Sequence, residues 1–363
     1  MITFKEIKQS THQRVSYYHN SETNLEAIIA IHSTALGPSL GGCRMMPYST
    51  KEEALRDVLR LSEGMTYKAA IAGLKLGGGK AVILSDPKSG KTPDLLKSFG
   101  EFINELEGDY ITAEDMGMTV KDMEIIREKT KYVTGLSESL GGSGDPSDFT
   151  SYGTYVGIKA AANFRFGSDD LNGLSIVVQG LGNVGFKLIK YLSKYDMKIF
   201  VNDVDLDKIS QCVNDYNAIP ISSEKLYDLD ADIFCPCAIG GVVNDSTIKK
   251  MKFKIIAGAA NNILEDYSKH GKMLFQKGVL YAPDYVINAG GLINIYNEFK
   301  DIYDRDDIFN QVNRINDTLI NIFEVSQKDS IATNLVSDTL AMNIIEKIKK
   351  DKVLRIEKTE SCE

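Results

Sequence analysis

Two sets of residues in this 363-residue chain have types and spacing suited to chemistry. The first is VVQGLGNVG, residues Val177 to Gly185, in which Gly180, Gly182 and Gly185 hold a GxGxxG spacing. An apolar run precedes it, a helical pattern follows, and Asp203 closes the next apolar run, KIFVND. Such glycines between a strand and a helix, with an acid about 20 residues on, predict dinucleotide binding. Gly180 would allow the tight turn, Gly182 the close approach of backbone to a pyrophosphate, and Gly185 close packing of helix on strand. Asn183 and Val184 would open a helix whose N-terminus faces the phosphate charge.

The second set lies upstream, in glycine-rich surroundings: Lys68 in GMTYK, Lys80 in LGGGK and Asp115 in ITAEDMG. A glycine run before a lysine suggests a phosphate loop. That motif needs Gly six residues before the lysine and Ser or Thr after it, whereas this chain has Leu74 and Ala81 there. The run also leads into a strand pattern rather than a helix, so the phosphate-loop reading fails. What remains is a lysine that side-chain-free backbone could bring close to a ligand. A lysine beside another lysine and shielded from water loses proton affinity, as acid–base work near neutral pH requires. Lysines exposed at a helix end and in a turn fit the same spacing.

These residues need elements to position them. LEAIIAIHS, Leu25 to Ser33, reads as a strand. Thr50 with Glu53 three residues later predicts a capping box before an amphipathic helix. KAVILS (Lys80 to Ser85) reads as a strand ended by Asp86-Pro87. Thr92-Pro93 and Thr119 each start a further helix, and DYITAED forms a short strand between them. SLGGSGDPSD (Ser139 to Asp148) reads as a loop between domains, followed by a helix from Thr150 to Phe166. ADIFCPCA, FKIIAGAA and GVLYAPDYVINAGG read as further buried strands, and from Ile293 the pattern is helical to the end. The alternation predicts an α/β fold of two domains, 1–140 and 141–335, the second a doubly wound dinucleotide-binding sheet. A last helix, about 336–363, is expected to pack back on the first. No internal repeat is evident, and the charged tail after Lys349 is expected to be solvated or frayed.

The net charge of −8, with no compensating basic cluster, argues against a nucleic-acid surface. The start, MITFKEIKQS, lacks the apolar core of a secretory leader, and no apolar run approaches the length of a membrane span. Cys43, Cys212, Cys235, Cys237 and Cys362 are few and scattered, which argues against a disulfide framework. Cys235 and Cys237 form a CPC pair that could ligate a metal. No second pair exists, and His12, His19, His32 and His270 form no ligand-spaced cluster, so buried free thiols and no metal are expected. A reducing cytoplasm fits these features.

VVQGLGNVG, GPSLGGCRM, GMTYKAAIAGLKLGGGKAVI, YITAEDMG, CAIGGVVND, IAGAANN and YAPDYVINAGGLIN occur together and in order. Over about Ile28 to Glu298 the chain thereby resembles the glutamate/leucine/phenylalanine/valine dehydrogenase superfamily, most of all its leucine dehydrogenase branch. The resemblance implies an N-terminal α/β substrate and oligomerisation domain, a Rossmann NAD-binding domain, an active-site cleft and a homo-oligomer, with an octamer as the candidate assembly. It implies that Lys68 grips the substrate carboxylate. Lys80 would activate water and steady the oxyanion of a carbinolamine, and Asp115 would carry protons to and from the substrate nitrogen. Asn262 would lie near the substrate carboxylate and cofactor, and Gly41 and Gly42 would line the substrate floor. Thr150 and Asn288 would stand near the carboxamide and nicotinamide, and Ala238 among the cofactor contacts.

The implied reaction is reversible oxidative deamination of an L-amino acid with NAD, giving the 2-oxo acid and ammonium. Asp203 suits a ribose hydroxyl and would repel the additional phosphate of NADP. Glutamate-specific relatives carry a lysine at the position of Leu40 and tend to read GGxKGG where this chain has GGGKAV. Leu40, with Ala113, Leu292 and Ile295, would instead make an apolar wall for leucine, isoleucine and valine. Leu292 and Ile295 are larger than the valines associated with leucine dehydrogenases, and GGLINIYNE also resembles tryptophan dehydrogenase, so phenylalanine or tryptophan remains an alternative. A non-enzymatic nucleotide-sensing module of the same fold is a further one, although it would have no need of Lys68, Lys80 and Asp115 together.

Overall fold

The computed structural model describes residues 2–300 and 303–360. The chain divides into two compact units, one of Met1–Asp145 with Ile295–Tyr303 and Ala341–Glu363, the other of Pro146–Asn294 with Asp304–Leu340.

The first unit opens with β1 (Ile2–Glu6), β2 (Arg14–Asn20), β3 (Leu25–Ser33) and β4 (Ser39–Met46). Then follow α1 (Lys51–Ile71), β5 (Gly77–Leu84), α2 (Pro93–Asn104), β6 (Tyr110–Glu114) and α3 (Val120–Arg127). The six strands form one sheet in the order β1-β2-β3-β5-β4-β6. β5 runs antiparallel to β3 and parallel to β4. Successive residues of a strand point to opposite faces, and here both faces are covered. Ile29, Ile31, Met45, Ala81 and Ile83 meet Leu95, Phe99, Phe102, Met123 and Ile126 from α2 and α3. Ile28, Ala30 and Val82 meet Ala54 and Val58 of α1. Strands buried on two sides read as unbroken apolar runs, as IIAI in β3 does.

Buried Ala54, Val58, Ser62, Thr66 and Ala70 make a stripe of small residues, one per turn, along α1. A Cβ at Gly78 would fall 2.1 Å from the backbone N of Thr66, and one at Gly77 would fall 2.0 Å from the carbonyl O of Ser33. LGGGK is therefore not a turn before a strand. Gly77 to Gly79 are strand residues of β5, and their missing side chains admit helix and neighbouring backbone. At the head of α1, Thr50 accepts from Glu53 N as expected, but the Glu53 carboxylate reaches Ser49 N at 2.9 Å instead of Thr50 N. The reciprocal capping box forms in α3, between Thr119 and Asp122.

The second unit runs through α4 (Ser147–Phe166), β7 (Ser175–Gln179), α5 (Asn183–Leu192), β8 (Lys198–Asn202), α6 (Leu206–Tyr216), β9 (Ile219–Pro220) and β10 (Ile233–Pro236). It continues with α7 (Asp245–Lys250), β11 (Ile255–Ile256), α8 (Tyr267–Lys277), β12 (Leu280–Tyr281), α9 (Asp284–Ile287), α10 (Gly290–Phe299), α11 (Arg305–Asp329) and α12 (Thr333–Glu360). Its six strands are all parallel, in the order β12-β11-β10-β7-β8-β9. That is the doubly wound order of dinucleotide-binding domains, with its switch point between β7 and β10.

The expected second domain, 141–335, is interrupted in the structure. Residues Ile295–Tyr303 cluster with the first unit, and the final return begins at Ala341 rather than 336. The buried Glu298 accounts for the first return: its carboxylate accepts from Gly135 N at 2.8 Å, Ser143 N at 3.0 Å and the Ser143 hydroxyl at 2.5 Å. α12 continues helical through Glu360, where a solvated or frayed tail was expected after Lys349; residues 361–363, with Cys362, lie outside the described residues.

Candidate active site

In the first unit, β5 carries Lys80 two residues before Val82, on the face that α1 covers. Lys80 is 6% exposed. Its Nζ lies 3.2 Å from Oδ2 of Asp115, which directly follows β6. The same Oδ2 accepts from Nε of Arg44, on β4, at 3.0 Å. Arg44 turns its Nη1 to Asp57 of α1 at 3.0 Å, and Asp57 also accepts from the Tyr48 hydroxyl at 2.8 Å and from Arg60 at 3.2 Å. Burial works to raise the Asp115 pKa, but the Lys80 ammonium and the Arg44 guanidinium outweigh it and hold the carboxyl below the ordinary range. Burial likewise works to raise the Asp57 pKa, but the Tyr48 hydroxyl and the Arg44 charge outweigh it and hold that carboxyl below the ordinary range too. The Cys43 thiol is pushed up, by burial first and then by the Asp115 charge.

Lys68 stands in the last turn of α1, two residues beyond Thr66, whose backbone abuts Gly78. At about 100° per residue, Lys68 and Asp57 share one stripe of α1. Leu40 and Ala113 are each 2% exposed. The space beside Gly41 and Gly42 is taken by backbone: a Cβ would fall 1.7 Å from Gly79 O and 2.5 Å from Glu114 O, respectively. Of the other residues assigned to an apolar wall, Ile295 belongs to the first unit and Leu292, which is buried, to the second.

The second unit carries the glycine turn at its switch point. Gly180 has φ +99°, and a Cβ there would fall 2.6 Å from that of Ala238. At Gly185 it would fall 1.9 Å from Gly180 O. At Gly182, which caps α5 ahead of Asn183 and Val184, it would meet nothing within 4 Å. Asp203 follows β8 and accepts from Leu181 N at 2.5 Å and Asp205 N at 2.8 Å. Burial would raise its pKa, but these two backbone donors hold it below the ordinary carboxylate range. An open helix N-terminus, a tight turn and an ionised carboxylate beside it are the parts a dinucleotide requires. Nearby, Asn288 donates to Ala259 O at 3.0 Å and Asn261 Oδ1 at 2.6 Å. Asn262 is exposed in a left-handed turn of φ +53°. Thr150 donates to Pro146 O at 3.2 Å, and a Cβ at Gly291 would fall 2.7 Å from its hydroxyl.

Arg44, Asp57 and Asn261 escaped the sequence reading. Arg44 stands in GPSLGGCRM, an even number of residues from Leu40 and Gly42, so strand periodicity offered a signal for it. Asp57 offered none, being one acid among several on α1.

Cys43, Cys212 and Cys235 are buried free thiols, but Cys237 is only half-buried. It directly follows β10, at the rim of the glycine turn. Its Sγ lies 3.6 Å from that of Cys235, and this bond lowers the Cys237 pKa. Among the described residues, no group of three or more His, Cys, Asp or Glu could hold a metal, and no helix is long and apolar enough to cross a membrane.

The chain as a whole is similar to known proteins. A family model described as "Glu/Leu/Phe/Val dehydrogenase, dimerisation domain" matches residues 8–132. Another, "Glutamate/Leucine/Phenylalanine/Valine dehydrogenase", matches residues 201–350. The chain is 46% identical over 350 residues to a leucine dehydrogenase of Thermoactinomyces intermedius, covering 96% of this chain and 95% of that one. It is also 46% identical over 352 residues to an L-tryptophan dehydrogenase of Nostoc punctiforme, covering 97% and 98%. The crystal structure of L-tryptophan dehydrogenase from Nostoc punctiforme is similar at a TM-score of 0.83 and 45% identity, over 94% of this chain and 97% of that one.

Proposed function

Because the chain belongs to the glutamate/leucine/phenylalanine/valine dehydrogenase family and is thereby an amino-acid dehydrogenase, we propose that it deaminates a branched-chain L-amino acid with NAD. Leucine is the main substrate in this reading, with isoleucine and valine beside it. The observation that carries the chemistry is the buried contact of Lys80 with Asp115. Amino acid, NAD and water give the 2-oxo acid, ammonium, NADH and a proton, and the reaction runs both ways.

The chemistry NAD would supply when bound is that of a hydride acceptor for the substrate Cα. Lys68 holds the substrate carboxylate. Asp115 accepts the proton that the substrate nitrogen must lose before the Cα–H bond breaks. Lys80 activates the water that adds to the resulting iminium, and its charge steadies the oxyanion of the carbinolamine. Asp115 then returns a proton to the departing nitrogen. In the second unit, Gly180, Gly182, Asn183, Val184, Gly185 and Ala238 would hold the cofactor, with Gly182 beside its pyrophosphate. Asp203 would take the ribose and Thr150 and Asn288 the nicotinamide end, with Asn262 near the cofactor.

Leu40 and Ala113 support an apolar side-chain pocket, since neither can pair with a second carboxylate. The equal identity to an L-tryptophan dehydrogenase favours an aromatic substrate as the second reading. Membership of an enzyme family sets aside the nucleotide-sensing module. A homo-oligomer is part of the proposal, supported by the dimerisation-domain match and by Ile2 and Phe4, exposed on the edge strand β1; an octamer is the candidate assembly. Free thiols at Cys43, Cys212, Cys235 and Cys237 support a cytoplasmic site of action. The test is the rate of NADH formation over a panel of L-amino acids. Leucine should lead in kcat/KM; a lead for tryptophan or phenylalanine replaces the branched-chain reading with the aromatic one.

A further inference from the structure

The charged groups around Asp115 form a chain that runs away from the reacting atoms. Lys80 and Arg44 both bond Oδ2 of Asp115, at 3.2 and 3.0 Å, so Oδ1 is the oxygen left for a substrate. Arg44 is bound on its far side by Asp57 at 3.0 Å, and Asp57 is held by Tyr48 and Arg60. The side chains of Arg44 and Asp57 are 15% and 16% exposed. A guanidinium can bridge two carboxylates with its nitrogens fixed in one plane, which an ammonium cannot. Lys80 alone, on a flexible stem, would leave the Asp115 carboxylate free to rotate.

We propose that Arg44 is a positioning residue for Asp115, fixing the orientation and proton affinity of that carboxylate, and that Asp57 braces Arg44 from α1. The inference rests on the reading of Asp115 as the proton carrier. The groups that face Asp115 are Lys80 from β5, Arg44 and Cys43 from β4, Tyr48 after it, and Tyr110 from β6. Cys43 and Tyr110 are buried neutral groups whose proton affinities burial raises, so Lys80 and Arg44 are the cations that control it. Of these, Arg44 is the one whose own charge is offset, by Asp57.

The two ends of the chain therefore act on Asp115 in opposite directions. Removing the Arg44 charge raises the proton affinity of Asp115. Removing the Asp57 charge leaves Arg44 unopposed and lowers it. In the deamination direction Asp115 must be ionised, so activity is lost as pH falls through its pKa.

The test is the pH profile of kcat/KM for Arg44→Gln, Arg44→Lys and Asp57→Asn, with NADH binding titrated on each and Asp115→Asn as the reference. Arg44→Gln should move the acidic limb up by about one pH unit. Asp57→Asn should move it down. Arg44→Lys should restore the limb but keep kcat roughly 100-fold low, because the fork is lost and the carboxylate is misplaced. Limbs that stay put in both Arg44→Gln and Asp57→Asn, with NADH binding intact and Asp115→Asn inactive, overturn the role of Arg44 and leave that of Asp115 standing. Wild-type turnover in Asp115→Asn overturns the underlying assignment itself. Should Arg44→Gln fail to fold, the downward shift in Asp57→Asn decides alone.

Discussion

At the scale of single residues, the buried Lys80–Asp115 pair yields two expectations. Replacing Lys80 by Ala should reduce kcat by roughly 100- to 1000-fold, the range for loss of one group that stabilises an oxyanion. NADH affinity should be unchanged, since the glycine turn belongs to the other unit. Steady-state rates and an NADH titration on the same variant check both; near-wild-type turnover would reduce Lys80 to a packing residue. The second expectation concerns acid stability. The folded pKa of Asp115 lies below its ordinary value. Its pairing therefore stabilises the fold fully above about pH 4, and this contribution is lost as pH falls from there through the depressed folded value. Thermal melts across that range should show the acid-side slope of the wild type flattened in Asp115→Asn, whereas parallel slopes would mean that the pairing adds nothing. Lys80 and Asp115 stood out as candidates because chemistry-bearing side chains in glycine-rich runs are uncommon, and their roles came from the family resemblance. Arg44 and Asp57 were obscured because surface arginines and helix acids usually mean nothing.

At the scale of elements, strand limits such as Leu25 to Ser33 could be read from apolar runs, and the helix starts at Thr92 and Thr119 from cap chemistry. The LGGGK run misled because three glycines ordinarily mark a turn. Only the packing of α1 explains them. Its stripe of Ala, Ser and Thr and the glycines of β5 are two halves of one close approach. A methyl group at Gly78 has no room beside Thr66 N and Ser62 O. Gly78→Ala should therefore lift the C-terminal half of α1, at a cost of about 1–3 kcal/mol. Because Lys68 rides on that half, KM for the amino acid should rise more than kcat falls. Denaturant melts and initial rates together check this; a variant with lower stability but unchanged KM would separate α1 from substrate binding.

At the scale of the whole molecule, the two-domain α/β architecture was legible from the alternation of strand and helix patterns and from one glycine fingerprint. The final return to the first unit was expected from about residue 336, and the structure begins it at Ala341; the earlier return, Ile295–Tyr303, was not foreseen. A helix pattern records which face is apolar and carries no record of which unit covers it, so the Glu298 clasp and the start of the last return at Ala341 are visible only in three dimensions. The second unit carries its own prediction. Asp203 is ionised at neutral pH and is set beside the turn. Even discounted for its exposure, a carboxylate facing an additional phosphate should favour NAD over NADP by roughly ten- to a thousandfold in kcat/KM. Asp203→Ser should narrow the ratio; comparable efficiency with both cofactors in the wild type would remove Asp203 from the ribose site.

The dispersed makeup of the first unit also bears on how the protein is made. The ribosome releases Met1–Asp145 early, yet that unit is finished only by residues beyond 340. Ala341 and Ile345 close over Ala70, with Ala35, Leu36 and Tyr67 at the margin of the same cluster. Until they emerge, the end of α1 that carries Lys68 stays uncovered and greasy, while the second unit, complete by Leu340, already has its sheet. A nascent chain that has just passed Leu340 thus holds a second unit that can mature and a first unit that cannot. Stalling or premature termination a few codons before Ile345 should yield chains that retain NADH yet are recognised by chaperones through the unsealed flank of α1.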